Sequence, residues 1–177
     1  MKHLQILPVG TVDHGLLRDA APALAATFRV PCEILPDPLD TEFAYHGERQ
    51  QYHSSEILYR MQEYVTPGSW RVLGVTAVDL FLPILTFVFG DAQMGGPCAL
   101  VSLHRLRQEF YGLPRDPGLL AARLLKECVH EVGHTLELTH CDDYGCAMAS
   151  SHAVEWIDIK ESTLCQSCRC RILTPED

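Results

Sequence analysis

The chain has 177 residues, 47% of them hydrophobic and 21% charged, and 14 Lys plus Arg against 23 Asp plus Glu give a formal net charge of −9. This length and composition are typical of one globular domain with a core of its own. The acidic balance argues against a nucleic-acid partner, because such binding depends on basic groups that neutralise phosphates.

Periodicity and turn signals predict a β-α-β opening. The predicted elements of the first half are a strand at residues 4–10, a helix at 13–29, a strand at 32–36, a surface loop at 37–53 and a helix from Ser54 to about Tyr64. The strand–helix–strand order favours parallel strand pairing.

The second half predicts further strands and one long helix. Its predicted elements are strands at residues 71–81, 87–91 and 99–106, a helix at 116–138, a short helix at 154–161 and a terminal piece at 165–173. We therefore expect one α/β (α+β) domain with a mixed, twisted β-sheet. Residues 1–138 would hold the sheet and the long helix, and residues 139–177 a small, irregular C-terminal subdomain.

Hydropathy predicts a cytoplasmic protein without a membrane partner. The apolar run at residues 80–89 is too short to span a bilayer and contains Pro83. The N-terminus lacks the uninterrupted apolar segment of a signal peptide. We also expect the chain to be a monomer.

HEVGH at residues 130–134 places two histidines on the long helix. At about 100° and 1.5 Å per residue, His130 and His134 lie roughly 40° apart in azimuth and about 6 Å apart along the axis. Imidazoles so placed can bind one zinc ion, with Glu131 beside them to handle a metal-bound water. The pattern fixes only three residues, so a charged helix without a metal is an equal alternative at this point.

His140 can join this cluster only if the helix ends near residues 136–138 and the chain turns back. On a continued helix it would lie about 15 Å along the axis from His130. Such a turn often needs a positive φ, which suits glycine, but residue 137 is glutamate. The cost to a non-glycine residue is on the order of 1 kcal/mol, which a packed fold tolerates. We expect Glu137 to point outward as a solvated charge; an inward carboxylate that orients a histidine is the alternative.

The composite motif resembles that of a known peptidase family. HEVGHTLELTH matches the HExxHxxGxxH motif of metzincin zinc peptidases except at Glu137, and CDDYGCAM and a distant C-x-x-C follow it. Over residues 130–168 this composite resembles the archaemetzincins, and VLGVTAVDLF and TFVFGDA upstream resemble the family's sheet segments. The resemblance implies a metzincin-like fold and a zinc metallopeptidase that acts on peptides or proteins.

The resemblance also implies residue roles. Glu131 would be the general base that takes the proton of a zinc-bound water and passes it to the leaving amine. Met148 corresponds to the methionine of the Met-turn, an apolar floor beneath the ligands, although the pattern alone indicates an ordinary core methionine. Asp158 and Lys160 match a D-x-K pattern of the family, which hints at a structural role. The implied ligands of the catalytic zinc are His130, His134 and His140.

Four of the eight cysteines form two close pairs with the spacing C-x4-C and C-x2-C. Two such pairs can hold a tetrahedral zinc ion closed to water. In a reducing compartment this spacing favours zinc over two disulfides or buried thiols without metal. The metal would supply folding free energy to a C-terminal piece too small to order itself. The expected ligands of this second, structural zinc are Cys141, Cys146, Cys165 and Cys168; Cys170 could compete, although the family spacing favours Cys168. The remaining histidines and cysteines receive no metal role.

Two features concern the reaction itself. Metzincin substrates lie extended along an edge strand, and chain order gives this position to residues 99–106. Metzincins that carry a tyrosine two residues after the Met-turn methionine use it near the metal, but this chain has Ser150 there. The alternative function is a catalytically weak or inactive, zinc-stabilised peptide- or protein-binding protein, which Ser150 and Glu137 favour and Glu131 disfavours. A nucleic-acid-binding zinc module is a third interpretation, weakened by the acidic charge.

Overall fold

The computed structural model describes residues 1–173. The strands are β1 His3–Val9, β2 Cys32–Ile34, β3 Tyr45–His46, β4 Gln51–His53, β5 Ser69–Thr76, β6 Leu80–Phe81, β7 Gly90–Ala92 and β8 Cys98–Ser102, and the α-helices are α1 His14–Phe28, α2 Ser54–Met61, α3 Pro117–Thr135, α4 Val154–Ile159 and α5 Gln166–Leu173. Residues 174–177 of the expected C-terminal subdomain lie outside the described residues.

The main sheet has five strands in the order β2-β1-β5-β8-β7. The pairs β1–β2, β1–β5 and β5–β8 are parallel, and β7 runs antiparallel to β8. The predicted mixed α/β fold and its parallel β-α-β opening are therefore confirmed. α1 and α3 pack on one face of this sheet and α2 on the other.

Alternating side chains of the central strands pack into two hydrophobic cores, one on each face of the sheet. On β5, Leu73 and Val75 face the cluster that includes α1 and α3, whereas Val72 faces the cluster with α2. Gly74 lies opposite Met61 of α2, where a Cβ atom would stand 2.8 Å from the methionine sulfur. Glycine at this position lets α2 approach the sheet closely.

The expectation of a surface loop over residues 37–53 is wrong in part. The segment contains β3 and β4, which pair antiparallel, and β4 pairs in parallel with β6 to form a second sheet. The rings of Tyr45 and Tyr52 lie 5.1 Å apart across the strands, and Gln51 is buried. Strands are usually recognised in a sequence by alternating aliphatic residues, which this polar segment lacks. Here aromatic pairing and a buried amide take their place, so the sequence pattern did not predict these strands.

The single strand expected at residues 71–81 is interrupted. β5 ends at Thr76, and β6 joins the second sheet. Between them, Arg105 donates two hydrogen bonds of 2.7 Å to Asp79, and Ser102 Oγ donates to the Val78 carbonyl at 2.5 Å. These long-range contacts fix a bend that the local apolar pattern does not predict.

The strand expected over residues 99–106 is shorter, and it does not lie at the edge. β8 stands between β5 and β7, so the edge beside α3 belongs to β7. A turn at residues 93–97 closes the β7–β8 hairpin, and Gln93 N donates to the Cys98 carbonyl at 3.0 Å. Chain order alone does not reveal this fold-back, which moves the expected edge from residues 99–106 to Gly90–Ala92.

The C-terminal segment shares the main core. Met148, Ile157 and Leu164 are buried in the same cluster as Leu124 of α3. We expected this piece to be too small to bury enough apolar surface. In the structure it does bury apolar side chains, because it packs against α3. Among the described residues, no helix has both the length and the apolarity that crossing a bilayer requires.

Candidate active site and metal centres

α3 carries the first two histidines. Asp116 caps the helix by accepting a 2.9 Å hydrogen bond from Leu119 N, and Pro117 occupies the first helical position. The Nε2 atoms of His130 and His134 lie 3.1 Å apart. Two nitrogens on a tetrahedral zinc ion, with bonds of about 2.0–2.1 Å, are about 3.3 Å apart, so this pair fits one ion.

The chain leaves α3 through a left-handed turn at Glu137, whose φ is 64°. Glu137 N donates to the His134 carbonyl at 3.0 Å and Leu138 N to the Gly133 carbonyl at 3.1 Å. These two bonds are those of the Schellman motif that commonly ends a helix. The turn predicted at residues 136–138 is therefore present, with glutamate in the position that glycine usually takes.

The Glu137 side chain is exposed and points toward the turn that follows the edge strand. A Cβ atom on Gly95 would stand 3.0 Å from Glu137 Oε1. Gly95 N also donates to the His134 carbonyl at 3.1 Å. The carboxylate thus lies outward, as the sequence favours, and it stands outside the group of candidate ligands.

The turn brings His140 back to the helix. Its ring centroid lies 5.3 Å from that of His130 and 5.1 Å from that of His134. One ring nitrogen from each histidine lies within 4.8 Å of the other two. The structure therefore brings together the three histidines that the sequence singled out.

Hydrogen bonds fix the orientation of the two helical imidazoles. Nδ1 of His130 lies 2.8 Å from the Ala147 carbonyl and Nδ1 of His134 lies 2.7 Å from the Leu138 carbonyl. Because a carbonyl accepts, each Nδ1 carries the proton, and each Nε2 keeps a free lone pair for a metal. Burial lowers the pKa of His130, well below its usual range, and of His134 and His140. All three rings are therefore neutral near neutral pH, as ligation requires.

Glu131 is buried beside the edge strand. A Cβ atom on Gly90 would stand 2.6 Å from Glu131 Oε1, so only glycine lets β7 approach this carboxyl so closely. Burial, followed by the negative charges of Glu127 and Asp91, raises the pKa of Glu131 well above its usual value. A carboxyl whose pKa is moved toward neutrality is suited to accept a proton and then to release it.

Residues 146–149, the expected Met-turn, pack against α3 beside the histidines. Met148 is fully buried, and its sulfur packs against Gly133 of α3, where any side chain would collide with it. Cys141, the neighbour of the third histidine, donates from its backbone N to the Met148 carbonyl at 3.0 Å. The Met-turn therefore supports both the helical histidines and the segment that presents His140.

A buried ion pair beside the histidines was not predicted from the sequence. Lys160 Nζ lies 2.8 Å from Glu127 Oε1, and both side chains are buried. Glu127 precedes His130 by three residues, so helical spacing already places the two on one face. Lys160 is the lysine of the D-x-K pattern, but that pattern does not indicate which groups the side chain contacts.

An open cleft of about 610 Å³ lies above the histidines. Its lining includes Gly90–Ala92 of β7, Leu82 with residues 85–89, residues 150–152, the three histidines and Glu131. Ser150, which stands in the tyrosine position of some metzincins, lines the cleft, as does His152, to which the sequence pattern assigned no metal role. The cleft therefore opens onto the candidate metal centre.

The side of the cleft formed by residues 82–89 is held by contacts from outside the segment. Arg49 Nη2 donates to the Leu85 carbonyl at 2.6 Å, and Gln51 Nε2 donates to the Thr86 carbonyl at 2.9 Å. The Arg105 guanidinium lies 4.2 Å from the centre of the Phe87 ring. Apolar side chains are thus presented to the cleft from a well-anchored backbone.

The second candidate centre contains four sulfurs within 4.8 Å of one another, those of Cys141, Cys146, Cys165 and Cys168. Cys141 Sγ and Cys165 Sγ are 3.8 Å apart, too far for a disulfide but equal to the separation of about 3.8 Å expected on a tetrahedral zinc ion with bonds of about 2.3 Å. The backbone N–H of Cys168 donates to Cys165 Sγ and lowers the pKa of that thiol. All eight cysteines are free thiols, and Cys170 is exposed outside the cluster.

Replacing Glu137 tests whether this residue has an active role. We expect Glu137→Gly to raise the free energy of unfolding by about 0.5–1 kcal/mol, because glycine adopts the left-handed conformation without strain. Zinc content and peptide cleavage should stay at wild-type levels, since the carboxylate points away from the histidines.

Glu137→Ala is the matched control, because it removes the carboxylate and keeps the backbone strain. The measurements are thermal unfolding, zinc content and kcat/KM. A similar loss of zinc or of cleavage in both variants would show that the carboxylate acts on the metal centre.

Comparison with known proteins identifies the family of this chain. Peptidase family M54 matches residues 44–173. An archaemetzincin of Methanocaldococcus jannaschii is 40% identical over 163 residues, which cover 92% of this chain and 88% of that protein.

Solved structures are also similar over nearly the whole chain. A zinc-dependent peptidase from Methanocorpusculum labreanum superposes with a TM-score of 0.86 at 30% identity, covering 96% of this chain and 99% of that one. An archaemetzincin from Archaeoglobus fulgidus superposes with a TM-score of 0.81 at 32% identity, covering the same shares of the two chains. The chain therefore belongs to peptidase family M54, the archaemetzincin metallopeptidases.

Proposed function

We propose that this member of family M54 hydrolyses peptide bonds with a catalytic zinc ion held by His130, His134 and His140 and with Glu131 as general base. The observation that carries the proposal is the convergence of three neutral ring nitrogens in the lining of an open cleft, within 4.8 Å of one another. Glu131 lines the same cleft. A donor set of three imidazoles with one open side is typical of catalytic zinc.

In this proposal the bound zinc ion supplies a Lewis acid that makes water nucleophilic near neutral pH. Glu131 takes a proton from the attacking water as its oxygen bonds to the peptide carbonyl carbon. When the carbon–nitrogen bond breaks, Glu131 gives that proton to the leaving amine. The carbonyls of Ala147 and Leu138 keep the rings of His130 and His134 oriented throughout.

A second zinc ion at the four cysteines is the structural part of the proposal. The sulfur separations support it, because Cys141 and Cys165 are spaced as on one tetrahedral ion. Four thiolates leave no open position for water, so this ion has no part in the reaction. Its role is to tie residues 141–146 to residues 165–168.

The substrate proposal rests on the edge strand and on the apolar wall of the cleft. Within residues 1–173, β7 pairs with β8 on one side only, which leaves backbone groups of Gly90–Ala92 able to pair with an extended peptide. Leu82, Leu85 and Phe87 line the same cleft as Gly90–Ala92. We therefore expect extended peptides with a large apolar side chain next to the cleaved bond to be preferred.

The proposal is tested by metal quantification together with cleavage of a peptide library. We expect two zinc ions per chain, cleavage products enriched in apolar residues at one flanking position, and loss of cleavage after mild chelation with recovery on adding zinc. Two zinc ions without any cleavage would refute the peptidase and favour the zinc-stabilised binding protein. Fewer than two zinc ions in the freshly purified chain would refute the assignment of two centres.

A further inference from the structure

Lys160 is among the largest fully buried side chains of the protein, with 1% of its surface exposed. A buried ammonium group is tolerated only when it is paired and hydrogen-bonded. Its nitrogen Nζ lies near groups of both α3 and the Met-turn, among them Nδ1 of His130 at 3.5 Å. Nζ stands 2.8 Å from Glu127 Oε1 of α3 and donates to the Ala149 carbonyl of the Met-turn at 3.2 Å.

Three consecutive carbonyls of the Met-turn each accept from a different part of the site. The Ala147 carbonyl accepts from His130 Nδ1 at 2.8 Å, the Met148 carbonyl from Cys141 N at 3.0 Å and the Ala149 carbonyl from Lys160 Nζ at 3.2 Å. The first and third of these bonds complete a closed path of contacts between α3 and the Met-turn. The path runs from Glu127 through Lys160 to the Ala149 carbonyl, and returns from the Ala147 carbonyl through His130 to α3.

Attachment of α4 to α3 does not explain this buried lysine. Arg123 of α3 already donates two hydrogen bonds, of 2.7 and 2.6 Å, to Asp158 of α4. Lys126 of α3 also donates to the Ile157 carbonyl at 3.1 Å. The two helices are therefore joined without Lys160, and what Lys160 adds is the link to the Met-turn.

We propose that Lys160 is a positioning residue for the catalytic metal centre: by joining Glu127 to the Ala149 carbonyl, it fixes the Met-turn against α3 and so holds the His130 ring in its ligating orientation. The inference rests on the proposed three-histidine centre. It assigns to Lys160 an effect on the geometry and affinity of that centre, beyond neutralisation of the Glu127 charge.

The decisive variant is the double substitution Lys160→Met/Glu127→Met, because exchanging a buried ion pair for apolar side chains of similar size often leaves stability intact. The purified protein is stripped of its weaker-bound metal by mild chelation and titrated with Co2+. The visible absorption spectrum reports the geometry of the three-histidine centre, and competition with a chelator gives its affinity. Lys126→Met is the matched control, since it removes another lysine that joins α3 to α4.

We expect the double variant to unfold near the wild-type temperature but to bind Co2+ about tenfold more weakly, within the range of about 10- to 100-fold for the loss of groups that orient ligands. Its absorption bands should be shifted, whereas Lys126→Met should match the wild type. Wild-type affinity and spectrum in the double variant would overturn the proposal and leave Lys160 as a counterion only.

Should the double variant not fold, Glu127→Gln keeps both links, because the amide oxygen at position 127 can still accept from Lys160 Nζ and the bond to the Ala149 carbonyl is untouched. The proposal then requires near wild-type Co2+ affinity, and a tenfold loss would contradict it. All these readings are made without a peptide. An inactive wild type would therefore refute the proposed function and leave the test of Lys160 intact.

Discussion

Glu131→Gln is expected to lower kcat by about 10²- to 10⁴-fold, the range that positioned general bases contribute, while two zinc ions per chain remain bound. The amide keeps the size of the carboxyl beside Gly90 but cannot accept the proton of the attacking water. Zinc content should not change, because Glu131 does not belong to the candidate ligand set, which consists of the three histidines. The measurements are kcat on a peptide found in the library and zinc content by elemental analysis.

Glu155→Gln is the control for this variant, because Glu155 is an exposed glutamate of α4 that does not line the cleft. It should cleave at the wild-type rate. If Glu131→Gln retained full cleavage with both metals bound, another group would have to be the base, and Glu131 would lose its proposed role in the reaction.

Cys165→Ser is expected to lose the second zinc ion and to lower the thermal unfolding temperature. The destabilisation should reach several kcal/mol, because structural zinc contributes about 10–16 kcal/mol in small zinc-dependent folds and part of this segment is also held by apolar burial. Cys165 Sγ lies 3.8 Å from Cys141 Sγ and accepts a hydrogen bond from Cys168 N at 3.5 Å. Removing this sulfur therefore frees both halves of the centre.

The same variant should weaken metal binding at the three histidines. Cys141 directly follows His140 and donates to the Met148 carbonyl, so loosening the cysteines should also loosen His140, the third proposed ligand. Zinc content, thermal unfolding and hydrogen exchange over residues 141–170 are the measurements. Cys170→Ser, at an exposed cysteine outside the cluster, is the control. Unchanged zinc content and stability in Cys165→Ser would rule out the proposed coupling.

The sequence alone determined the composite motif and the elements that carry it. Helical spacing placed His130 and His134 on one face, and the need for His140 to return predicted the left-handed turn that Glu137 makes. These features depend on contacts close in sequence, since a helix has a fixed rise and a turn has few allowed backbone conformations. The family resemblance followed from the same short stretch, and comparison with known proteins confirmed it.

Only the tertiary structure decided which groups surround the histidines. The edge position of Gly90–Ala92 depends on how the β7–β8 hairpin folds back on the sheet, and chain order does not report that choice. The pairing of Lys160 with Glu127 joins residues 33 positions apart (160 − 127 = 33). A buried pair of this kind is stable only after α3, α4 and the Met-turn have packed together. No local pattern of residues can therefore predict it.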